Sequence, residues 1–261
     1  MPDDYELVER NLRHSLSFYA RAQAGDIHES PGVLTISCGR DYPLFNSALL
    51  TTPVPGPGGD LGLRITVAQD YFRHLRHGWS YWICENMLDK DSRRVLHQVF
   101  QARRMRKVVD SPGMTLRGVA PERRLLPKLD IRPISDAPTR LSFCHITAAV
   151  FDVPFVVGKE VYDSDRAWDN SFFGFIGYHE GRAICSATVA LRDGVAGLYS
   201  VATMPEIQRR GYGQAIVRHA IAAGRAAGAN VTILQATRSG LPLYRSLGFD
   251  IAGHFVVYRS N

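Results

Sequence analysis

Met204-Pro205-Glu206-Ile207-Gln208-Arg209-Arg210-Gly211-Tyr212-Gly213-Gln214-Ala215 stands between an apolar stretch and an amphipathic one, and reads as the end of a strand, a glycine loop and the start of a helix. Gly211 and Gly213 allow the backbone to approach a ligand closely, and the first N–H groups of the following helix favour an anion. Arg209 and Arg210 add mobile positive charge, a combination that suits a pyrophosphate. A bare G-x-G also makes a tight turn into a helix with no ligand. Two other phosphate loops do not fit. A P-loop needs lysine and a hydroxyl residue after its second glycine, where this chain has Gln214 and Ala215, and the dinucleotide fingerprint needs a third glycine or alanine where Ile216 stands.

Downstream, Ile216, Ala220, Gly224 and Ala227 fall on one face of a helix predicted from Gly213 to Gly228. Asn230 to Ala236 is short and rich in branched apolar residues, which predicts a buried strand. A second helix is expected over 240–247, ended by Gly248 as a C′ residue, and a last strand over 249–259.

Gln208-x-x-Gly211-x-Gly213 after a strand, followed by a strand and Leu243-Tyr244-x-x-x-Gly248-Phe249, resembles the GNAT acetyltransferase superfamily over roughly residues 128–261. The resemblance implies an α/β fold, an α+β mixed sheet with helices on both faces, and acetyl-CoA or another acyl-CoA as co-substrate. Its pyrophosphate would lie on the backbone of Arg209, Arg210, Gly211, Tyr212, Gly213 and Gln214, with Gln208 beside it. The pantetheine arm would follow Val201, Ala202 and Thr203 in a splay between two parallel strands. The acceptor amine would attack the thioester directly, Tyr244 would protonate the departing thiolate, and a backbone N–H of Ser200 or Val201 would hold the oxyanion. No metal is expected to take part.

The chain departs from the family pattern twice. Thr237 stands seven residues before the tyrosine, where an asparagine often contacts the cofactor, and the strand 196–203 carries no carboxylate to act as general base. Glu160, Asp165, Asp169, His179, Glu180 and a water held by Tyr199 and Ser200 are the candidates for that base. His179-Glu180-Gly181 also reads as a solvated hairpin turn. Tyr162 to Asn170 lies where the family places its acceptor-binding helix, and its acids would suit a cationic amine. Upstream, a strand at 129–133, a helix at 138–151 and strands at 172–178, 183–191 and 197–203 complete the expected domain.

The remaining 127 residues are enough for another domain. The expected division is an N-terminal α+β domain at 1–119, a polar, proline-bracketed linker at 120–127 and the acyltransferase domain at 128–261. The front part is read as a helix at 3–24, strands at 33–38 and 45–52, a Pro/Gly loop at 53–59, a helix at 66–76, a strand at 79–84, a long helix at 91–108 and a strand at 114–119. It resembles the degenerate first copy of tandem members of the superfamily. It holds no Q-x-x-G-x-G pattern, so no acyl-CoA is expected there, only a packing or acceptor-shaping role.

Charge and cysteine usage bound the other classes. Lys plus Arg outnumber acids by 17 to 14 before Lys128 and by 14 to 11 from Lys128 onward, so the net +6 is spread evenly and leaves no concentrated nucleic-acid footprint. The basic run 103–107 reads as the end of the long helix, where cations are favoured by the dipole. Cys38, Cys84, Cys144 and Cys185 lie far apart with no C-x-x-C, which argues against zinc and for free thiols. With no signal-like start and no membrane-length apolar run, a cytoplasmic enzyme acting on a small-molecule or protein amine is expected, with a non-catalytic acyl-CoA sensor of the same fold as the alternative and an RNA acceptor as a third reading.

Overall fold

The computed structural model describes residues 3–56, 59–122 and 125–260. Pro57 and Gly58 of the expected loop, Arg123 and Arg124 of the expected linker, and the terminal Met1, Pro2 and Asn261 lie outside the described residues.

Helix α1 (Asp4–Ala22) places Val8, Leu12, Ser15 and Tyr19 on one buried face, with Asp4 and Glu6 in its first turn and Arg21 in its last, which suits the helix dipole. Three antiparallel strands follow: β1 (Asp26–Ser30), β2 (Val33–Ser37) and β3 (Asn46–Leu50). Helix α2 (Gly59–Leu75) crosses to β4 (Ser80–Cys84), which runs parallel to β3. Helix α3 (Lys90–Gln101) is capped by Asp89, whose Oδ1 accepts the N–H groups of Asp91 at 2.8 Å and Ser92 at 3.1 Å. It leads into the twelve-residue β5 (Met105–Leu116).

The same sequence of elements then occurs again. After β6 (Asp130–Pro133), α4 (Ala137–Phe151) and α5 (Phe155–Tyr162) come three antiparallel strands, β7 (Phe172–His179), β8 (Arg182–Arg192) and β9 (Val195–Thr203). Helix α6 (Tyr212–Ala226) crosses to β10 (Val231–Gln235), parallel to β9, and α7 (Leu241–Leu247) leads to the long β11 (Asp250–Ser260). Gly248 follows α7 at φ 96°, as a C′ glycine does.

All eleven strands form one sheet in the order β1-β2-β3-β4-β11-β5-β10-β9-β8-β7-β6. The two long strands are exchanged. β5 lies against β10 of the second run, β11 lies against β4 of the first, and the two pair with each other antiparallel from Met105 opposite Ser260 to Thr115 opposite Asp250. Helices α1 and α4 pack on one face and α6 on the other. A Cβ on Gly224 of α6 would meet Ala196 at 2.9 Å, whereas the next residue of β9, Gly197, faces Asn11 of α1.

Two expectations need correction. The long helix ends at Gln101 rather than at 108, because Arg104 adopts φ 59° and the chain turns into β5, whose start is held by ten residues of pairing with β11. The basic run is therefore a turn and the beginning of a strand. Arg103 donates to the carbonyls of Val99 and Gly62, and Lys107 pairs with Asp110 at 2.9 Å. The expected strand at 114–119 is the end of β5. Strand β1 and helix α5 went unforeseen: β1 is half exposed and polar, and α5 is a single short run between Pro154 and an Asp/Ser stretch.

Candidate active site

Strands β9 and β10 pair over only three positions, Val195/Val231, Ala196/Thr232 and Gly197/Ile233. Beyond Gly197 they part. β10 keeps its other edge on β5 through Leu234/Met114 and Gln235/Gly113, while β9 stays with β8 as far as Thr203/Cys185. The backbone edge of β9 after Gly197 is thus left without a strand partner on the β10 side, where an extended chain could lie. The corresponding seam of the first run, between β3 and β4, is closed differently. Val54 bridges to Leu88, its N–H reaching Met87 O at 2.8 Å, and the buried Arg64 guanidinium is bound by the carbonyls of Thr52 and Pro53.

A bulge shapes β9 inside the open seam. Ser200 has φ 47°, and two residues, Ser200 and Val201, stand opposite one of β8 between the pairs Thr188/Tyr199 and Ser186/Ala202. The hydroxyls of Thr188 and Ser186 donate to the carbonyls of Tyr199 and Ser200, both at 2.9 Å, and so fix their direction. The bulge also resets which side chain faces which layer: Tyr199 and Ala202 belong to the core under α1, Val201 to the core under α6. Tyr19 of α1 brings its phenol beside Ser200.

At the end of β9 the loop turns through Arg209 at φ 64° and Gly211 at φ 94°. Gln208 donates to Thr203 O at 3.0 Å and holds the loop to the strand. Helix α6 makes its first backbone bond from Ala215 N to Gly211 O, so the N–H groups of Tyr212, Gly213 and Gln214 have no helical acceptor. A Cβ at Gly213 would stand 3.1 Å from Thr203 Oγ1, so glycine lets the helix start against the strand end. Among the described residues neither Arg209 nor Arg210 has a carboxylate partner. His179, the last residue of β7, tilts over the Tyr212 ring at 5.2 Å, which places it behind this loop.

Tyr244 lies on α7, on the α6 side of the sheet. It is 7% exposed, its ring meets Phe249 edge-on at 5.7 Å, and burial raises its phenol above the ordinary value. No described residue takes a hydrogen bond with its hydroxyl. The Thr237 hydroxyl is occupied locally: it accepts the N–H of Gly240 at 3.1 Å and lies 3.2 Å from Ser239 Oγ, capping the entry to α7.

Several candidate bases have structural work. Asp169 accepts the N–H groups of Ser171 and Phe172 at 2.6 and 2.8 Å, Glu160 pairs with Arg40, and Asp165 pairs with Arg140, which also holds the neighbouring Asp163. Tyr199 donates to Asn11 Oδ1 at 2.9 Å, which commits its hydroxyl to the first helix. The acids of Tyr162–Asn170 form a 3₁₀ turn tied to α4 through Arg140.

Sequence reasoning overlooked what α1 brings to this place. Asn11, 2% exposed, donates to the carbonyls of Ala190 and Val195 while accepting from Tyr199. Glu9, 5% exposed, pairs with Arg13 at 2.7 Å, and its carboxylate lies within electrostatic range of Tyr199 and of Cys84 at the end of β4. Burial raises its carboxyl to about 7 against the opposing pull of Arg13 and Arg10. An acid and an amide buried on the inner side of an amphipathic helix would have been the signal, but Glu9 reads as one member of a charged stripe when only the sequence is in view. Two open cavities of about 350 and 390 Å³, lined in part by Arg76, His77 and Trp79 and by Val119, Arg218 and Ile221, are made of other residues than the seam.

Residues 143–249 match the Acetyltransferase (GNAT) family. No curated protein matches the chain in sequence. Among solved structures, a GCN5-related N-acetyltransferase from Kribbella flavida is similar over 93% of this chain and 95% of its own, with a TM-score of 0.69 at 15% identity. A GCN5-related N-acetyltransferase-like protein from Streptococcus suis is similar over 98% and 99%, with a TM-score of 0.58 at 14% identity. A GCN5-related N-acetyltransferase from Sphaerobacter thermophilus is similar over 88% and 76%, with a TM-score of 0.56 at 16% identity. At these identities the likeness is one of fold, and it extends across both runs of elements.

Proposed function

Since residues 143–249 match the Acetyltransferase (GNAT) family, we propose that the protein transfers an acetyl group from acetyl-CoA to a primary amine by direct attack in a ternary complex. The observation that carries the reading is the parting of β9 from β10 after Gly197, with the unpaired N–H groups of Tyr212–Gln214 at its outer end. The unpaired edge of β9 would take an extended arm along Val201–Thr203, and the loop offers backbone donors and two arginines to a pyrophosphate. When bound, acetyl-CoA supplies an activated acyl group. In this reading the chain's own residues orient it, and Tyr244 hands a proton to the leaving sulfur. A phenol raised by burial stays protonated at neutral pH, as an acid for this step must.

The front part, 1–119, acts in this reading as a degenerate copy with no cofactor site of its own. Its β3/β4 seam is bridged and occupied by Arg64, and its α1 roofs the open seam of the second run. The proposed partners are a small-molecule or protein amine, in the cytoplasm. No described helix is long and apolar enough to cross a membrane. Nucleic acid is not favoured, since the basic run 103–107 is partly spent on carbonyls and Asp110.

A non-catalytic acyl-CoA sensor is the competing reading, favoured by the lack of a carboxylate on β9. Calorimetric titration with acetyl-CoA, followed by thiol release with a panel of primary amines, separates the two. Binding with amine-dependent release supports the enzyme, binding without release supports the sensor, and no binding removes both.

A further inference from the structure

The first helix lies across the α1 face of the open seam, and its inner side is not purely apolar. Below it sits a polar group of Asn11, bound to Tyr199, and Gln235, beside Tyr199 at the end of β10; Glu9, two residues before Asn11 on the helix, is buried and held against Arg13. Tyr199 and Gln235 come from the two strands that separate, so this group spans the mouth of the seam from the face opposite Tyr244. The Gln235 Nε2 is buried without a hydrogen-bond partner, and Glu9 Oε1, though 2.7 Å from Arg13, has no well-aligned hydrogen bond. Glu9 and Gln235 are thus buried polar side chains on the α1 side of the sheet whose hydrogen bonding is incomplete among the described residues.

We propose that Glu9, supplied by the first helix, is the general base that takes a proton from the attacking ammonium group, in place of the carboxylate missing from β9. This inference rests on the acetyl-transfer reading. Glu9 in its ionised form accepts one ammonium proton. The freed nitrogen lone pair forms the C–N bond, and the C–S bond breaks with its electrons on sulfur. Tyr244 protonates the thiolate, the proton remaining on the amide nitrogen restores the phenol, and Glu9 releases its proton to solvent. Acid and base thus approach the thioester from opposite faces of the sheet.

The surroundings suit that role. Burial raises the Glu9 carboxyl to about 7, near the value a base needs at neutral pH, while Arg13 and Arg10 lower it and Glu6 raises it. From the other packed elements, Tyr199 of β9 and Cys84 of β4 lie within electrostatic range of it, both neutral at this pH because burial raises them well above their ordinary values. Tyr5 of α1 is likewise raised.

The test uses the full chain, acetyl-CoA, and the amine with fastest thiol release from a panel containing spermidine, lysine and tyramine. Wild-type kcat/KM is expected to rise with pH through a midpoint near 7. Glu9→Gln is expected to lower kcat about 100-fold, abolish that midpoint and leave acetyl-CoA affinity within about twofold by calorimetry. Arg13→Met removes a cation that lowers the Glu9 carboxyl, so its midpoint is expected to move upward, and this variant keeps the test open if Glu9→Gln fails to fold. A wild-type profile that Glu9→Gln reproduces, or a midpoint unmoved in Arg13→Met, overturns the role of Glu9 alone. Acetyl-CoA binding by the wild type with no release for any amine overturns the acetyl-transfer reading and with it this inference.

Discussion

Asn11 and Gly197 are packed against each other so closely that a Cβ on Gly197 would stand 2.0 Å from Asn11 Oδ1. That contact joins the first helix to the last paired position of β9 before the seam opens. The Asn11 side chain meets three partners, Ala190 O, Val195 O and the Tyr199 hydroxyl. Asn11→Ala is expected to strand the buried Tyr199 hydroxyl and two carbonyls at a cost of about 3 kcal/mol. Gly197→Ala is expected to cost a similar amount, about 3 kcal/mol, by forcing α1 off the sheet. Urea unfolding of the two variants measures both. A loss below about 0.5 kcal/mol in either would mean that α1 is not fastened there.

Gly211→Asp is expected to weaken acetyl-CoA binding by about 100-fold, equivalent to about 3 kcal/mol. The substitution sets a side chain on a backbone at φ 94° and brings a carboxylate to where the phosphates would lie. Isothermal titration reads the affinity, and thermal unfolding of the same sample separates lost binding from lost folding.

Tyr244→Phe is expected to leave acetyl-CoA affinity within about twofold and to lower kcat roughly 100-fold. Because burial raises the phenol, the wild-type rate is expected to show no fall from deprotonation of Tyr244 below about pH 10. An unchanged kcat in the variant removes the tyrosine from the chemistry.

Glu9 also leaves a mark on stability. Its folded carboxyl, at about 7, stands above the ordinary 4.5, so the folded state binds the proton more tightly than the unfolded one. The stabilisation is complete below about pH 4.5 and is lost as pH climbs through about 7, to a total of about 3 kcal/mol. Glu9→Gln lacks this titration. Relative to the wild type it is expected to gain about 3 kcal/mol between roughly pH 4 and pH 8, read from paired urea curves. A difference that stays flat with pH means the carboxyl is not raised.

Cys38, Cys84, Cys144 and Cys185 are all buried, and burial raises each thiol to about 12. None is expected to react with an aromatic disulfide at about pH 8 in the folded protein, and all four are expected to react in denaturant. A fast-reacting thiol in the native protein would mark a locally open region.

Much of the second half was legible because its signals are local. The spacing of Ile216, Ala220 and Gly224, the positive-φ needs of Gly211 and Gly248, and the apolar run at 231–235 each act within one element, and the structure has an element at each place. The exchange of β5 and β11 was not legible, since pairing between Met105 and Ser260 is a choice among distant strands that period and propensity do not encode. The exposed middle of β5 masked its strand pattern, and its basic start resembled a helix end. Glu9 was missed for the same reason: which face of α1 meets the open seam depends on the sheet it covers, and only there does a carboxylate on a polar stripe become a buried one.

The exchanged strands set the order in which this molecule can assemble. Neither run of elements can complete its own layer, because the strand that finishes each belongs to the other. The central ladder joins segments far apart along the chain, a contact pattern that slows folding relative to local hairpins. The opening between β9 and β10 takes its width from where β5 holds β10. The seam between β9 and β10 is therefore complete only once β5 is in place, and under the acetyl-transfer reading a chain holding only residues 128–261 is expected to be silent.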